Sequence, residues 1–315
     1  MKADSIQTVA VIGAGTMGAG IAGEFARAGC QVRLYDLNDD LFERGMGILR
    51  LAQEALIEAK LLARRAAREA VRRVALVTSL EAACDGVQLL VEAVPEDLSL
   101  KREMFAQFSE LCPRRALLAS NTSGLSIARI ADAAERPTRV AGMHFWNPPH
   151  VVPLVEVTKG ERTSDATAKT LMDVARRIGK RPILVRRGVP GFVGNRLQFA
   201  VLREALHILS EGIASAEDID TAMTAGPGLR WSLIGPLRTA DLGGLDVFSA
   251  ISEYLFAQLN SDPRPSAALA EMVSKGRLGA KSGAGFYKYP GREQDEIVRR
   301  RDRLLLRFLK ALETE

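Results

Sequence analysis

The sequence predicts an α/β chain in two parts: a mostly parallel sheet domain over residues 1–187 and an all-α C-terminal domain over residues 188–315. Three observations carry this expectation. Through the first half, short apolar runs alternate with longer runs of helical periodicity, the pattern of a sheet with crossover helices. Gly13-Ala14-Gly15-Thr16-Met17-Gly18 stands directly between such a strand and such a helix. After Val185 only helical patterns remain. A chain of 315 residues is also long for one core, so two domains fit its length. The border at Arg187-Gly188 rests on the change of pattern, since neither a low-complexity linker nor an internal repeat marks it.

Thr8-Val9-Ala10-Val11-Ile12 reads as a buried parallel strand. A G-x-G-x-x-G segment follows, and Ile21, Phe25 and Ala26 then recur at helical spacing. Gly13, Gly15 and Gly18 allow a tight turn, close approach of the backbone to a pyrophosphate, and tight packing of helix on sheet. The helix start around Met17 presents free N–H groups to the anion. Gln31-Val32-Arg33-Leu34-Tyr35-Asp36 is a second strand ending in an acid. A carboxylate there accepts the adenine ribose hydroxyls of NAD and repels the 2′-phosphate of NADP. The expectation is a Rossmann-type domain holding NAD; the structural alternative is a glycine-rich turn of another α/β protein.

From Leu41 to Arg73 the pattern is helical and grows basic. Lys60, Arg64, Arg68 and Arg72 recur every four residues, so a continuous helix puts them on one face. They read either as a solvated face or as a landing surface, through Lys60 and Arg64, for a phosphate-bearing substrate tail such as coenzyme A.

Gln88 to Val94 and Ala116 to Ser120 are further strands, with Glu96 and Lys101 leading into a helix after the first and Asn121-Thr122-Ser123 closing the second. Val140 to Phe145 delivers His144 at another strand end, and Leu154 to Thr158 and Pro182 to Val185 add strands around a helix from Ser164 to Ile178. Ligands of open parallel sheets sit outside the carboxyl ends of the strands, where Glu96, Ser123 and His144 fall. Histidine titrates near neutrality. Glu156, twelve residues on, would fix its tautomer and stabilise its protonated form, which suits a general base. The structural alternative is a satisfied core histidine.

Composition excludes several classes. Hydrophobic content of 47% with 26% charged residues is that of an ordinary globular protein. A net charge of +5 is mild for this length, which gives nucleic acid no support as a partner. Cys30, Cys84 and Cys112 lack metal-ligand spacing, so no metal site is expected, and they fit a reducing compartment. No apolar run reaches membrane-spanning length. A strand begins within a few residues of Met1, leaving no room for a signal peptide; the expected location is the cytoplasm.

Several of these segments resemble the L-3-hydroxyacyl-CoA dehydrogenase family. They are Gly13 to Ala22, Glu92 to Lys101, Ala119 to Gly124, Gly142 to Glu156, Pro190 to Arg196 and Lys281 to Tyr287, in family order across nearly the whole chain. The resemblance implies NAD-dependent oxidation of a 3-hydroxy group, or the reverse. His144 would take the hydroxyl proton, and Glu156 would orient it and stabilise its imidazolium. Ser123, Asn147 and Asn195 match positions that hydrogen-bond the reacting oxygen or line the site. Gly13, Gly15, Gly18 and Asp36 would carry the adenine side of NAD, and Glu96, Lys101 and Lys281 match positions contacting the cofactor further along.

The second half reads as helices over Asn195 to Glu211, from a cap at Ser215, over Leu245 to Asn260, over Pro265 to Lys275 and over Glu293 to Leu312. An apolar all-α domain here points to closure over the substrate and to a homodimer, as in the family. The arginine-rich last helix reads as a solvated face.

Two segments depart from typical acyl-CoA members: Gly226 to Pro236, which carries Arg230 and Trp231, and Asn147 to Pro153. Both look more like the branch of lambda-crystallin/L-gulonate 3-dehydrogenase and L-carnitine dehydrogenase, which handles free 3-hydroxy acids; some bacterial relatives oxidise an aldehyde on a pyridine carboxylate ring. Arg230 would hold a free carboxylate bidentately or stack on Trp231. The expectation leans to a 3-hydroxyacyl-CoA substrate and so to fatty acid metabolism, with a free hydroxy acid as the alternative. A non-enzymatic NAD-binding or redox-sensing protein is the rival from another class, and the joint presence of Ser123, His144, Asn147, Glu156 and Asn195 argues against it.

Overall fold

The structure, a computed structural model, describes residues 1–291 and 293–313; Arg292 and the last two positions of the predicted second domain, Thr314 and Glu315, lie outside them. Strands and helices alternate through the first part: β1 Thr8–Ile12, α1 Thr16–Arg27, β2 Gln31–Tyr35, α2 Asp39–Glu58, α3 Arg64–Arg72, β3 Val74–Val77 and α4 Leu80–Cys84. They continue as β4 Leu89–Glu92, α5 Leu98–Leu111, β5 Leu117–Ser120, α6 Ile127–Ala131, β6 Val140–Phe145, β7 Leu154–Lys159, α7 Asp165–Arg177 and β8 Arg181–Val185. The helices that follow are α8 Gly194–Ser210, α9 Ala216–Ala225, α10 Pro227–Gly243, α11 Leu245–Leu255, α12 Ala267–Ser274 and α13 Glu293–Glu313. None of the described helices is long and apolar enough to cross a membrane.

The eight strands form one sheet in the order β3-β2-β1-β4-β5-β6-β7-β8. The first six are parallel, β7 runs antiparallel to β6, and β8 is parallel to β7. The mostly parallel α/β sheet predicted from sequence is what forms. Strand side chains alternate between two cores, as period two requires. Val9, Val11, Leu89 and Val91 meet Phe25, Leu49 and Leu171 on one face. Ala10, Ile12, Leu90 and Leu118 meet Phe105 and Phe108 on the other.

The basic helical stretch is broken where the sequence pattern implied continuity. Lys60 has φ 59°, its N–H donates to the Ile57 carbonyl, and the Leu61 N–H reaches back to Leu56. This is a Schellman ending of α2 with lysine in the left-handed place usually held by glycine. Lys60 therefore sits in the turn, and only Arg64, Arg68 and Arg72 share a helix face, on α3. A four-residue spacing of charges cannot reveal one left-handed residue inside it.

The chain divides into two compact units, Met1–Asn195 with Val298–Glu315, and Arg196–Ile297. The expected border at 187–188 assigns the last helix to the second domain, whereas by its contacts α13 joins the sheet unit from Val298 onward. Leu306, 2% exposed, explains this: it lies among Leu56, Ala59 and Val151. In the other unit, Ser215 caps α9, accepting from Asp218 N at 3.1 Å. Here α10 is kinked at Gly235, φ 72°, just before Pro236. Tyr287 donates its hydroxyl to Asp220 at 2.7 Å.

Candidate active site

The turn after β1 is a steric cradle. Gly13 has φ 103°, and a Cβ there would lie 2.7 Å from the Ala93 carbonyl oxygen. A Cβ at Gly18 would lie 1.7 Å from the Gly13 oxygen. The loop and α1 thus close on each other in a way no side chain allows. Nothing lies within 4 Å of a Cβ built on Gly15, the N-cap of α1, so the backbone stays open where the N–H groups of the Met17 turn are unsatisfied. Asp36 follows β2 and accepts from Ala14 N at 2.6 Å and from Leu37 N at 2.8 Å. An open anion cradle braced by a strand-end carboxylate fits the diphosphate and adenine ribose of a dinucleotide.

Beyond β4 the predicted residues divide. Lys101, expected to touch the cofactor, is 1% exposed; its ammonium lies 2.6 Å from Glu92 and donates to the Val94 carbonyl at 3.2 Å. Glu92 is fully buried, so it needs that counter-charge. The group at the surface is Glu96, 3.4 Å from Lys101. Glu96 accepts from Thr122 Oγ1 at 2.6 Å, Ser123 N at 2.9 Å and Ser123 Oγ at 3.1 Å. Partial burial pushes its pKa up, but Thr122, Lys101 and Ser123 outweigh this and hold the carboxyl below its ordinary value. Asn195 Nδ2 donates to the Ser123 carbonyl at 3.3 Å, which brings two candidate residues together.

His144 and Glu156 stand opposite each other across β6 and β7. Glu156 is fully buried, and its Oε2 is 2.8 Å from His144 Nδ1 and 3.2 Å from Trp146 Nε1. Its Oε1 accepts from Val193 N at 3.0 Å and Gly194 N at 2.9 Å. Burial pushes the Glu156 pKa up, but the donors His144, Gly194, Val193 and Trp146 reverse this and lower it. Being ionised, Glu156 can only accept, so Nδ1 carries hydrogen and Nε2 of neutral His144 keeps its lone pair. That is the tautomer a base needs. Trp146 and Phe192 flank the imidazole, with ring centroids at 5.7 and 5.9 Å. Asn121 Oδ1 accepts from Phe145 N at 2.8 Å, tying the Ser123 loop to the end of the His144 strand.

Sequence reading missed Trp146 and the Val193 and Gly194 amides as partners of Glu156. A donor made of backbone has no residue signature; the signal is conformational. Gly191 at φ 75° and Phe192 at φ 48° turn the chain so that two successive N–H groups aim at one oxygen. Asn147 is exposed on the loop after β6. Lys60 and Arg64 lie on separate segments of the α2–α3 hairpin. A cavity of about 370 Å³ on that hairpin is lined by Arg50, Gln53, Glu54, Arg64, Arg68 and Arg72, with Glu54 3.8 Å from Arg64. In the other unit, Lys281 sits in a turn over Ala280–Ser282 braced by a Gly279–Ala284 bridge. Arg230 and Trp231 are consecutive on the first half of α10, so they point to different sides of the helix.

The chain also resembles known proteins over nearly its whole length. The sequence pattern of the 3-hydroxyacyl-CoA dehydrogenase NAD binding domain matches residues 8–188, and that of the C-terminal domain matches residues 191–289. The chain belongs to the 3-hydroxyacyl-CoA dehydrogenase family and is an NAD-dependent oxidoreductase. It is 35% identical to 5-formyl-3-hydroxy-2-methylpyridine 4-carboxylate 5-dehydrogenase of Mesorhizobium japonicum, over 98% of this chain and 99% of that one. A solved structure of an enzyme of that name, described as an NAD+ dependent dismutase, superposes with a TM-score of 0.91 at 34% identity, over 98% of this chain and 99% of that one. A probable 3-hydroxybutyryl-CoA dehydrogenase of Bacillus subtilis is 40% identical over 90% of this chain and 98% of its own. L-carnitine dehydrogenase of Nocardiopsis dassonvillei is 36% identical over 98% and 93%.

Proposed function

We propose that His144 is the acid–base residue of a reversible hydride transfer on a small hydroxy or aldehyde carboxylate. The observation that carries the reaction is the oriented imidazole: a buried, ionised Glu156 holds Nδ1–H and leaves Nε2 free. Nε2 takes the proton of the substrate hydroxyl, or of a hydrated aldehyde, and the carboxylate stabilises the resulting imidazolium. Bound NAD supplies the hydride acceptor. Ser123, Asn147 and Asn195 are the polar groups offered to the substrate oxygen, and Glu96 orders Ser123. Gly13, Gly15, Met17, Gly18 and Asp36 hold the adenine half of the cofactor, with Glu96 further along it and Lys101 acting through Glu96.

The substrate class is supported by full-length similarity to the pyridine carboxylate and carnitine dehydrogenases, which extends over 98% of this chain. A second reading, oxidation of a 3-hydroxyacyl-CoA in fatty acid metabolism, is favoured by the arginine-lined cavity on the α2–α3 hairpin, whose charge suits a nucleotide phosphate tail. The deciding experiment is a paired assay with NAD. It compares 3-hydroxybutyryl-CoA with carnitine, gulonate and a pyridine carboxaldehyde carboxylate. Turnover of a free acid alone supports the first reading, turnover of the thioester alone replaces it with the second, and reduction of NAD by none of them refutes both.

The helical unit is proposed to form a homodimer. Phe199, Leu233, Leu237, Leu245 and Phe256 are all more than half exposed, an apolar surface that a partner copy would cover. All three cysteines are free and buried, as suits the cytoplasm.

A further inference from the structure

The loop after the His144 strand, residues 147–153, carries Asn147 at the surface and is held from three sides. The Val151 and Val152 N–H groups both donate to the Pro148 carbonyl at 3.0 Å, closing a turn. On one side, Pro149 lies against α1 at Gly20, where a Cβ would come within 2.9 Å of the proline Cγ. On the second, the Pro149 carbonyl accepts from Lys180 Nζ, an ammonium 5% exposed that also pairs with Glu24 at 2.6 Å. Arg27 braces the same Glu24 at 2.6 Å.

The third side is α13. Val151 and Leu306, each 2% exposed, form with Leu56 and Ala59 an apolar cluster separate from the two sheet-face cores. Lys310 at the far end of α13 donates to the Lys60 carbonyl at 3.4 Å. This helix begins past residue 289, where the family's C-terminal domain pattern ends, so it lies outside both matched domains, while Val151 and Lys180 lie inside the first. The helix closes on one of the two segments that depart from typical acyl-CoA members, the one that follows directly on the His144 strand.

We propose that α13 is a specificity element. Leu306 clamps Val151 and Lys180 holds Pro149, and together they set where Asn147 presents its amide to substrate. Leu306, Val151 and Lys180 are positioning residues. The inference rests on the reading that Asn147 meets the substrate oxygen, and it deepens that reading by naming what fixes the loop. A clamp that only covered the apolar end of the α2–α3 hairpin would change stability and leave the substrate KM alone.

The test uses the full chain with Leu306→Ala, Val151→Ala and the double variant, assayed with whichever substrate the wild type turns over. Positioning predicts that each single change raises the substrate KM about tenfold while the NAD KM stays within about twofold. The double variant should be no worse than the worse single, because both remove one contact. Leu306→Met, which keeps the apolar volume, should restore the wild-type KM. Lys180→Gln, which removes the ammonium held at the Pro149 carbonyl, should raise the same KM. Unchanged substrate KM in variants that fold, or NAD and substrate KM rising together, overturns the proposal. Hydrogen exchange reads the clamp independently of turnover: the Val151 and Val152 amides should exchange faster in Leu306→Ala, and unchanged protection also overturns it. Failure of the wild type on every substrate counts against the dehydrogenase reading, while the exchange result still decides the clamp.

Discussion

His144 and Glu156 are register partners across the one antiparallel junction of the sheet, β6 with β7, and their side chains meet with Nδ1 2.8 Å from Oε2. Directly opposed residues of an antiparallel pair carry their side chains on the same face. The pairing of strands therefore places the imidazole and the carboxylate side by side, and the hydrogen bond fixes the ring. Replacing His144 by alanine should lower turnover by about two orders of magnitude or more and leave NAD binding intact. Stopped-flow turnover beside fluorescence titration of NADH checks both halves. Wild-type turnover in the variant would sink the assignment.

Glu156→Gln tests the partner through pH. The folded pKa of Glu156 lies below its unfolded value of about 4.3. Such a group contributes stability that is fully present above the unfolded value and is lost as pH falls through the folded one. The wild type should therefore exceed Glu156→Gln in urea midpoint at neutral pH, and the gap should shrink below about pH 4. A gap independent of pH would show that the lost stability is packing.

Asp36→Ala should weaken NAD and relax discrimination against NADP. In the proposed site the carboxylate receives the ribose hydroxyls, and in the structure it braces the glycine turn through Ala14 N at 2.6 Å. Steady-state KM values for both coenzymes check this. An unchanged ratio of the two would refute the ribose role.

Gly194→Ala should be more harmful than its size implies. Its Cβ would stand 2.3 Å from Trp146 Cζ2, and the Gly194 N–H is one of the donors holding Glu156. Overpacking of this kind destabilises by about 1–3 kcal/mol. Turnover should fall with it, because the indole that must move also donates to Glu156. Thermal melting and turnover measured on the same preparation check the prediction.

Much of the fold was legible in the sequence. The apolar runs at Thr8–Ile12 and Val140–Phe145 fall on β1 and β6, and the Ser215 cap opens α9. The short strand β3, Val74–Val77, escaped notice because it follows a highly basic helix without a turn signal, and two of its four residues are exposed. Lys60 misled for a related reason: spacing reports a helix face only while the backbone stays helical. Lys101 misled differently. Its motif is intact, yet the buried Glu92 takes its charge, and the demand of a buried carboxylate is invisible until the strands are paired.

Sequence by itself determined the local grammar: a glycine turn between strand and helix, an acid after β2, a histidine near a strand end and a glutamate twelve residues on. These depend on neighbours a few residues away, whose sterics and periodicity are written in order along the chain. Tertiary structure decided what those groups meet. It reversed β7 so that Glu156 faces His144, and it aimed the Val193 and Gly194 amides at the same carboxylate. It also brought Leu306 back onto Val151 across about half of the chain. Such partners are chosen by burial and by the need to satisfy every buried charge, conditions that only the assembled sheet imposes.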